Sequence, residues 1–175
     1  MSVISNDKLC FYSKSRDVLP GKGASESVKD DALYEGLSKM KDWRKLLSNF
    51  HVYPFIYEGH TYNTIEHVFQ AKKIELADKE KAMYFTVESG HEIGQGDGEI
   101  ARKNRKLVKL GDDLLTKWAE IRDQVMSDAA LEKYKSCEEA RQVLKATNKA
   151  QLLHLVPRSK AIRFYHLEKI RETLI

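Results

Sequence analysis

The feature that most constrains the fold is a stretch near the middle of the chain, residues 47–73, in which two short strand-like segments run directly into a helical pattern. Glu58-Gly59 separates the segments, and its glycine tolerates the positive φ that a two-residue turn requires. Asn63 and Thr64 follow with side-chain oxygens that can cap a helix. From Ile65 onward apolar residues recur at helical spacing. The stretch therefore predicts a β-hairpin that leads into a helix.

Three polar residues of this helix, Glu66, Gln70 and Lys73, stand at positions i, i+4 and i+7 and therefore share one face. A carboxylate, an amide and a cation in line could form a polar site. The alternative is structural. With Asn63 as the N-cap, Glu66 would occupy the third helical position and close a capping box, and acidic residues favour the first turn of a helix in any case. The periodicity leaves both interpretations of Glu66 open.

Length and composition indicate one intracellular domain. The 175 residues are 42% hydrophobic and 32% charged, which suits a single domain over residues 1–175 with a flexible N-terminus at residues 1–8. No apolar run approaches the roughly 20 residues of a membrane span, and no secretory signal is visible. Two cysteines make neither a disulfide framework nor a metal site. We expect a cytoplasmic or nuclear protein with no membrane contact, metal or cofactor. The oligomeric state stays open.

The remaining pattern is mainly helical, with a short strand at residues 9–12. Together with the hairpin it predicts a mainly α protein with a small β-hairpin or sheet, in the α+β class. Helical spacing predicts helices over residues 30–45, 78–89, 100–110, 112–134 and 137–147, and a terminal helix whose first position is Pro157.

Glycine and proline mark residues 13–26 as a loop. Lys22 lies between Gly21 and Gly23, so nothing beside it would block its approach to a ligand. An exposed turn lysine is the commoner outcome for such a sequence. Both interpretations of Lys22 remain open at this point.

Two further segments could meet phosphate groups. Gly94, Gly96 and Gly98 precede an acidic helix start; no strand precedes them and no standard phosphate motif is matched, although their N–H groups could still face a diphosphate. Five cations lie within residues 102–109. Such a run is usually a solvated face, and the alternative is a platform for phosphates that is blind to sequence and sensitive to salt. The net charge of +4 permits phosphate-bearing ligands without demonstrating nucleic-acid binding.

A basic group also precedes the chain's end. Arg158, Lys160 and Arg163 fall at the predicted start of the terminal helix. Cations there oppose the helix dipole unless an anion lies nearby. Their placement therefore favours a phosphate-bearing partner.

Several motifs together resemble the signature of the NADAR (YbiA-like) family. They are Leu47-Ser48-Asn49-Phe50, the strand with Pro54-Phe55, the turn Gly59-His60-Thr61-Tyr62, and the helix start from Thr64 to Lys73. Phe11-Tyr12, Lys117-Trp118 and Gln124-Val125-Met126 occur where that family has its other landmarks. The resemblance spans most of the chain and implies a compact, mostly helical N-glycosidase fold.

The resemblance also implies an activity. Members of the family cleave ribose–base N-glycosidic bonds, either in early riboflavin-pathway intermediates or in ADP-ribosylated guanine of nucleic acid. Glu66 matches the catalytic glutamate. Trp118, which its apolar stripe alone would assign to the core, matches a tryptophan tied to activity and would wall the pocket. Lys22 matches a Pro-Gly-Lys-Gly segment of a longer subgroup. The short members have an Asp-rich stretch with Tyr-Trp-Gly near the C-terminus, which this chain lacks.

We therefore expect an N-glycosyl hydrolase that removes ADP-ribose from ADP-ribosylated guanine in DNA, RNA or a nucleoside. The alternatives are an N-glycosidase of aminopyrimidine ribotides of riboflavin synthesis and a non-catalytic ADP-ribose- or NAD-binding module. The expected catalytic residues are Glu66, Lys22 and Trp118. The expected substrate-binding residues are Phe11, Tyr12, Gly21, Gly23, Glu26, Asn49, Phe50, His67, Phe69, Gln70, Gly94, Gln95, Arg158, Ser159, Lys160 and Arg163.

Overall fold

The computed structural model describes residues 5–174. About half of the chain is helical and two small sheets accompany the helices, so the protein has the predicted α+β fold. Its contacts divide it into two compact units. The terminal unit comprises Met1–Ser48 and Cys137–Ile175, and the central unit comprises Asn49–Ser136. The expectation of a single domain stays a prediction.

The elements in chain order are β1 (Lys8–Phe11), a 3-10 turn (Asp31–Tyr34), α1 (Glu35–Ser38), α2 (Trp43–Leu46), β2 (Phe55–Tyr57), β3 (His60–Tyr62), α3 (Ile65–Glu75), α4 (Lys79–Ala82), a second 3-10 turn (Met83–Phe85), α5 (Glu92–Gln95), α6 (Gly98–Lys103), α7 (Asp112–Ser136), α8 (Glu138–Ala146), β4 (Gln151–His154), β5 (Ile162–Arg163) and α9 (Tyr165–Leu174). Within residues 5–174, no helix is both long and apolar enough to cross a membrane.

The terminal unit is organised around a three-stranded sheet in the order β1, β4, β5. β4 runs parallel to β1 and antiparallel to β5, with Lys8 opposite Gln151. α8 buries Ala140, Val143 and Leu144, whose spacing of three and four residues places them on one face. α9 packs against β4 and α8. The parallel pairing joins the two segments of the unit, which are distant in sequence.

The start of the described chain is anchored. Asp7 is buried, and its carboxylate accepts hydrogen bonds from the Lys29 backbone N–H at 2.9 Å and the Tyr34 hydroxyl at 2.6 Å. Lys8 begins β1. Asp7 and Lys8, expected within a flexible N-terminus, are therefore fixed by the sheet and by this buried carboxylate. Residues 1–4 of that prediction lie outside the described residues.

A buried ion pair shapes the loop around Lys22. The Glu26 side chain has no exposed area, and its carboxylate lies 2.5 Å from Nη2 of Arg44. The same carboxylate accepts hydrogen bonds from the backbone N–H groups of Cys10, Gly21 and Gly23. Arg44 also donates to the carbonyls of residues 16, 18 and 19. One carboxylate and one guanidinium therefore hold the loop between residues 16 and 26.

Two predicted helices of the terminal unit differ from the structure. The pattern over residues 30–45 forms a 3-10 turn and two single-turn helices, because Asp42 adopts the left-handed conformation at φ 55° and interrupts the run. Leu33, an apolar residue within the predicted helix, is 56% exposed. The terminal helix begins at Tyr165 rather than Pro157, because β5 pairs with β4 before it.

The central unit begins with the predicted hairpin. Glu58 and Gly59 both have positive φ, 47° and 82°, as a type I′ turn requires. The register pairs Phe55 with Tyr62 and Tyr57 with His60. The side-chain oxygen of Thr64 accepts from the backbone N–H of His67 and caps α3. The hairpin and helix are therefore formed by residues 55–75, as the sequence predicts.

The other helices of the central unit surround α3. α7, predicted over residues 112–134, extends from Asp112 to Ser136 and packs on α3 and β2. The predicted helix at 78–89 shortens to α4 and a 3-10 turn, since Thr86 is extended. The predicted helix at 100–110 shortens to α6. α5 forms in the glycine-containing segment before α6.

Breaking the Glu26–Arg44 pair should destabilise the protein strongly. Glu26→Ala leaves a buried guanidinium without its carboxylate, and we expect the free energy of unfolding in urea to fall by about 3–5 kcal/mol. Glu35→Ala, which removes an exposed pair with Lys39, is the control and should change little. Equal losses in the two variants would contradict the structural role of Glu26.

Candidate active site

Glu66 lies in the first turn of α3, and its side chain is not used as a cap. Thr64 is the N-cap, so Glu66 is the second helical residue and the capping box that would start at Asn63 does not form. The Glu66 backbone N–H donates to the carbonyl of Asn49 at 3.1 Å. Its carboxylate accepts a hydrogen bond from Nε2 of Gln70 at 2.8 Å. The carboxylate is therefore directed along the helix face toward Gln70.

Burial and charge act in opposite directions on this carboxylate. Glu66 is 8% exposed, and burial raises its pKa above the ordinary value of a glutamate. The hydrogen bond from Gln70 and the positive charges of Arg102, Arg105 and Lys73 lower the pKa, but by less than burial raises it. Gln70 and Lys73, which were predicted to share a helix face with Glu66, therefore both stabilise its charged form. Arg102 and Arg105 of the basic run also act on it.

Two amide oxygens of the central unit are buried without a partner. Gln70 and Asn49 are 5% and 8% exposed, and neither Oε1 of Gln70 nor Oδ1 of Asn49 has a hydrogen-bond partner among the described residues. Nδ2 of Asn49 lies 3.1 Å from the sulfur of Met126, and Nε2 of Gln70 donates to Glu66. Each amide nitrogen is thus engaged while its oxygen is not. An unsatisfied buried acceptor is costly unless a ligand or an ordered water supplies the donor.

Aromatic rings lie on the same helix. The rings of Phe69 and Trp118 meet edge to face, with centroids 4.8 Å apart and an interplanar angle of 66°. Trp118 is 6% exposed, whereas Phe69 is half-buried. Phe50 is also half-buried and packs on Gly98, where an added Cβ would lie 2.6 Å from the Phe50 Cα. Phe69 and Phe50 can offer ring surface to a ligand, and Trp118 chiefly supports Phe69.

His67 does not reach a ligand, which corrects the expectation that it binds substrate. Its side chain has no exposed area, and its Nδ1 lies 2.7 Å from the Thr64 hydroxyl while its Nε2 lies 2.8 Å from the Ile93 carbonyl. Burial lowers the pKa of His67, so the ring is held neutral. It links the start of α3 to α5.

The glycine segment is also engaged internally, contrary to the expectation for Gly94 and Gln95. A Cβ on Gly94 would lie 2.0 Å from the Thr86 carbonyl oxygen, so this glycine serves close backbone packing. The side chain of Gln95 donates to the Val87 carbonyl at 2.7 Å. Gly94 is buried and the Gln95 amide nitrogen is engaged, so this packing does not support the expected contact of these two residues with a diphosphate.

In the terminal unit, the expected ligand groups around Lys22 are largely occupied. The N–H groups of Gly21 and Gly23 both donate to Glu26, and the Glu26 side chain is fully buried against Arg44. These three residues therefore build the loop, and neither these N–H groups nor this carboxylate is left for a ligand. Phe11 is likewise fully buried, beside the rings of His154 and Phe164. The neighbouring Tyr12 is half-buried.

Lys22 itself is accessible. Its side chain is 59% exposed, and Nζ lies 3.7 Å from a carboxylate oxygen of Asp31. Both residues line a cavity of about 250 Å³ in the terminal unit, together with Leu19, Pro20 and Tyr34. A lysine that attacks as a neutral amine requires burial or neighbouring cations. Lys22 has a carboxylate neighbour instead, so substrate would have to displace Asp31 and cover the amine.

The basic group before α9 does not stand at a helix start. Arg158, Ser159 and Lys160 are exposed in the turn before β5. Arg163 lies on β5, forms a bidentate pair with Glu168 at 2.8 and 2.9 Å, and stacks on Tyr165. The helix dipole therefore gives no reason to expect a phosphate at these residues. Arg163 is a structural residue, and Arg158, Ser159 and Lys160 remain accessible.

The structure therefore groups Glu66, Gln70, Lys73, Asn49 and the Phe69–Trp118 pair in the central unit. The helical pattern did not predict that Arg102 and Arg105 act on Glu66, or that the Asn49 amide lies against the Met126 sulfur. The run of five cations at residues 102–109 was the sequence signal for the effect of Arg102 and Arg105. Within residues 5–174, no group of three or more His, Cys, Asp or Glu side chains is arranged to hold a metal ion.

The buried carboxylate should reduce stability at neutral pH. The folded-state pKa of Glu66 lies above its ordinary value, so the folded protein binds the proton more tightly than the unfolded chain does. The free energy of unfolding therefore falls as pH rises from the ordinary pKa of a glutamate through the folded-state pKa. We expect Glu66→Gln to unfold at higher urea concentration than wild type at pH 7.5. The difference should vanish below about pH 4. Glu80→Gln, at an exposed position, is the control. A Glu66→Gln variant that is less stable at pH 7.5 would contradict this account.

Comparison with known proteins gives the family. The NADAR domain profile matches residues 31–162. The fold is similar to the NMR structure of the E. coli protein YbiA, with a TM-score of 0.56 and 19% identity over 96% of this chain and 86% of that one. Comparison with curated proteins found no match. Residues 1–30, which include Lys22, lie outside the family match. On this evidence the chain belongs to the NADAR domain family, and membership supports a glycosidase-type hydrolase at the level of reaction class.

Proposed function

We propose that this protein is an N-glycosyl hydrolase that releases ADP-ribose from ADP-ribosylated guanine, in nucleic acid or as a nucleoside. The observation that carries the proposal is the Glu66 carboxylate. It is buried, is held by Gln70 at 2.8 Å, and lies on a helix face that also carries an unpartnered amide oxygen. A protein that only needed a stable α3 would gain by replacing this carboxylate with a neutral group.

The chemistry requires a fixed negative charge. As the bond between the sugar C1″ and the guanine nitrogen breaks, positive charge develops on C1″ and the ring oxygen. A carboxylate in a dry site stabilises that charge more than one in water does. The raised pKa of Glu66 also makes its carboxylate a better base for a water nucleophile near neutral pH. Glu66 thus serves as electrostatic stabiliser and general base.

The free acceptors suit a hydroxylated sugar. The oxygens of Gln70 and Asn49 are buried without donors, and the O–H groups of a ribose would supply them. A site built to receive hydroxyl donors rejects an analogue that lacks them, because its own acceptors would then stay unsatisfied. The half-buried rings of Phe50 and Phe69 could stack on the base or sugar.

The choice of ADP-ribose over a ribosyl monophosphate rests on the supply of cations. In the central unit, Lys73, Arg102 and Arg105 act on Glu66, and a diphosphate needs more positive charge than a monophosphate. We assign the chain to a longer subgroup of the family that carries a Pro-Gly-Lys-Gly insert. The insert lies before the matched residues 31–162.

Replacement of Glu66 should strongly reduce turnover. We expect Glu66→Gln to lower kcat by about 10²–10⁴-fold in the release of free ADP-ribose from an oligonucleotide that carries ADP-ribosylated guanine. Chromatography measures the product. Glu80→Gln, exposed and on the neighbouring α4, should retain wild-type activity.

The same assay separates the alternatives. Binding of the oligonucleotide by wild type and Glu66→Gln without product would replace the hydrolase with a binding module. Turnover of an aminopyrimidine ribotide, with none of ADP-ribosylated guanine, would assign the enzyme to riboflavin intermediates. Either result would overturn the proposed substrate.

Lys22 offers a second route through a covalent intermediate. Its neutral amine would attack C1″ as the bond to guanine breaks and the base takes up a proton, the sugar ring opens to give an imine, and water then restores the amine and free ADP-ribose. We expect borohydride added during turnover to reduce the imine to a stable adduct that mass spectrometry locates on Lys22. Lys22→Ala should abolish the adduct, and Lys8→Ala, exposed in β1, should not. Turnover without an adduct would leave Glu66 and water as the mechanism.

A further inference from the structure

Positive charge in the central unit is concentrated in one short segment. Residues 101–110 contain five lysines and arginines and no acidic residue, whereas the rest of residues 49–136 contains eight basic and fifteen acidic residues. α6 ends at Lys103, and the remaining cations follow in a turn. The basic surface, defined here as Arg102, Lys103, Arg105, Lys106 and Lys109, is thus a local feature set against an acidic background.

The cations of the basic surface are exposed and mostly lack acidic partners. All five residues are exposed. Lys103 lies 3.8 Å from Glu99. Within residues 5–174, Arg102, Arg105, Lys106 and Lys109 form no ion pair, and the one hydrogen bond given by an Arg105 side-chain nitrogen goes to the Arg102 carbonyl at 3.1 Å. A solvated helix face usually alternates charges and pairs them at i, i+4, and Lys103 with Glu99 is the one such pair that these five cations form within residues 5–174.

The positive charge of the basic surface reaches the candidate site. Arg102 and Arg105 act on the buried Glu66 carboxylate, so a ligand that reaches Glu66 also enters their field. Gly98, at the start of α6, packs directly on Phe50. α6 also packs on α3, the helix that carries Glu66, so a partner held on the basic surface would lie beside the candidate site.

We propose that the basic surface binds the phosphodiester backbone of a polynucleotide, next to the nucleotide whose modified base reaches Glu66. This inference rests on the proposed function and deepens it, because it selects a nucleic-acid chain over a free nucleoside as the substrate. A row of unpaired cations without interleaved acids neutralises successive phosphates and is indifferent to base sequence. Exposed lysines suit this contact because their side chains are flexible.

The test uses residues outside the catalytic machinery. Lys106→Glu/Lys109→Glu reverses two cations of the basic surface, and Lys79→Glu/Lys149→Glu makes the same change in net charge at two exposed lysines elsewhere. Fluorescence anisotropy measures binding of an unmodified single-stranded oligonucleotide. The salt concentration is varied from about 50 to 200 mM, a range over which affinity for a phosphate backbone falls steeply. This measurement needs no turnover and therefore does not depend on the proposed hydrolase.

We expect the Lys106/Lys109 variant to bind the oligonucleotide at least about tenfold more weakly at low salt, with a salt slope shallower by about 1.4, the value for two lost phosphate contacts on a single strand. The control variant should bind like wild type. Equal binding by both variants would overturn the proposal. So would wild-type binding to vesicles of anionic phospholipid with none to the oligonucleotide, since the surface would then face a membrane.

Activity provides a second readout. With ADP-ribosylated guanine in an oligonucleotide, the Lys106/Lys109 variant should show a raised KM and an unchanged kcat, and with the corresponding nucleoside it should match wild type. An equal rise of KM for both substrates would contradict a backbone contact. If neither substrate is turned over by wild type, the hydrolase proposal fails, while the anisotropy result still decides the role of the basic surface.

Discussion

The hydrogen bond from Gln70 to Glu66 is the interaction on which the candidate site depends. It joins residues one turn apart on α3 and fixes the carboxylate along the helix rather than toward the backbone N–H groups of the first turn. Thr64 takes the capping role, and it thereby frees Glu66. A buried carboxylate with a single neutral donor is poorly solvated. The site is thus set up to interact with positive charge that a ligand develops.

Several neighbours keep this arrangement in place. His67 ties the start of α3 to α5 through the Thr64 hydroxyl and the Ile93 carbonyl. The Asn49 carbonyl accepts the Glu66 N–H, and Phe50 packs on Gly98 at the start of α6. Since interiors are closely packed, each of these contacts limits how far the carboxylate can move. The rigid part of the site is therefore the junction of residues 49–50 with the first turn of α3.

The terminal unit has a different organising interaction. Glu26 and Arg44 form a buried pair that gathers the backbone of residues 16–26, and Gly21 and Gly23 are required by close packing around Val28 and Glu26. Lys22 projects between Gly21 and Gly23, whose backbone N–H groups are already used. Lys22 is thus presented on a fixed frame, in the cavity that it shares with Asp31.

Local sequence determined the hairpin, α3 and α7. The Glu58-Gly59 turn, a capping residue before Ile65 and the apolar spacing along α7 are signals carried by neighbours in the chain, so no distant contact was needed to recognise them. The i, i+4 pairing of Glu66 with Gln70 followed for the same reason. The α+β class and the family resemblance also came from the sequence.

Only the tertiary structure decided whether a polar side chain is available to a ligand or bonded inside the protein. Glu26 and His67 turned inward because Arg44 and Ile93, distant in sequence, supply their partners. Asp42 and the pairing of β5 with β4 broke predicted helices. Burial of Glu66, and the field of Arg102 and Arg105 upon it, arise from packing between helices, which a helical period cannot encode.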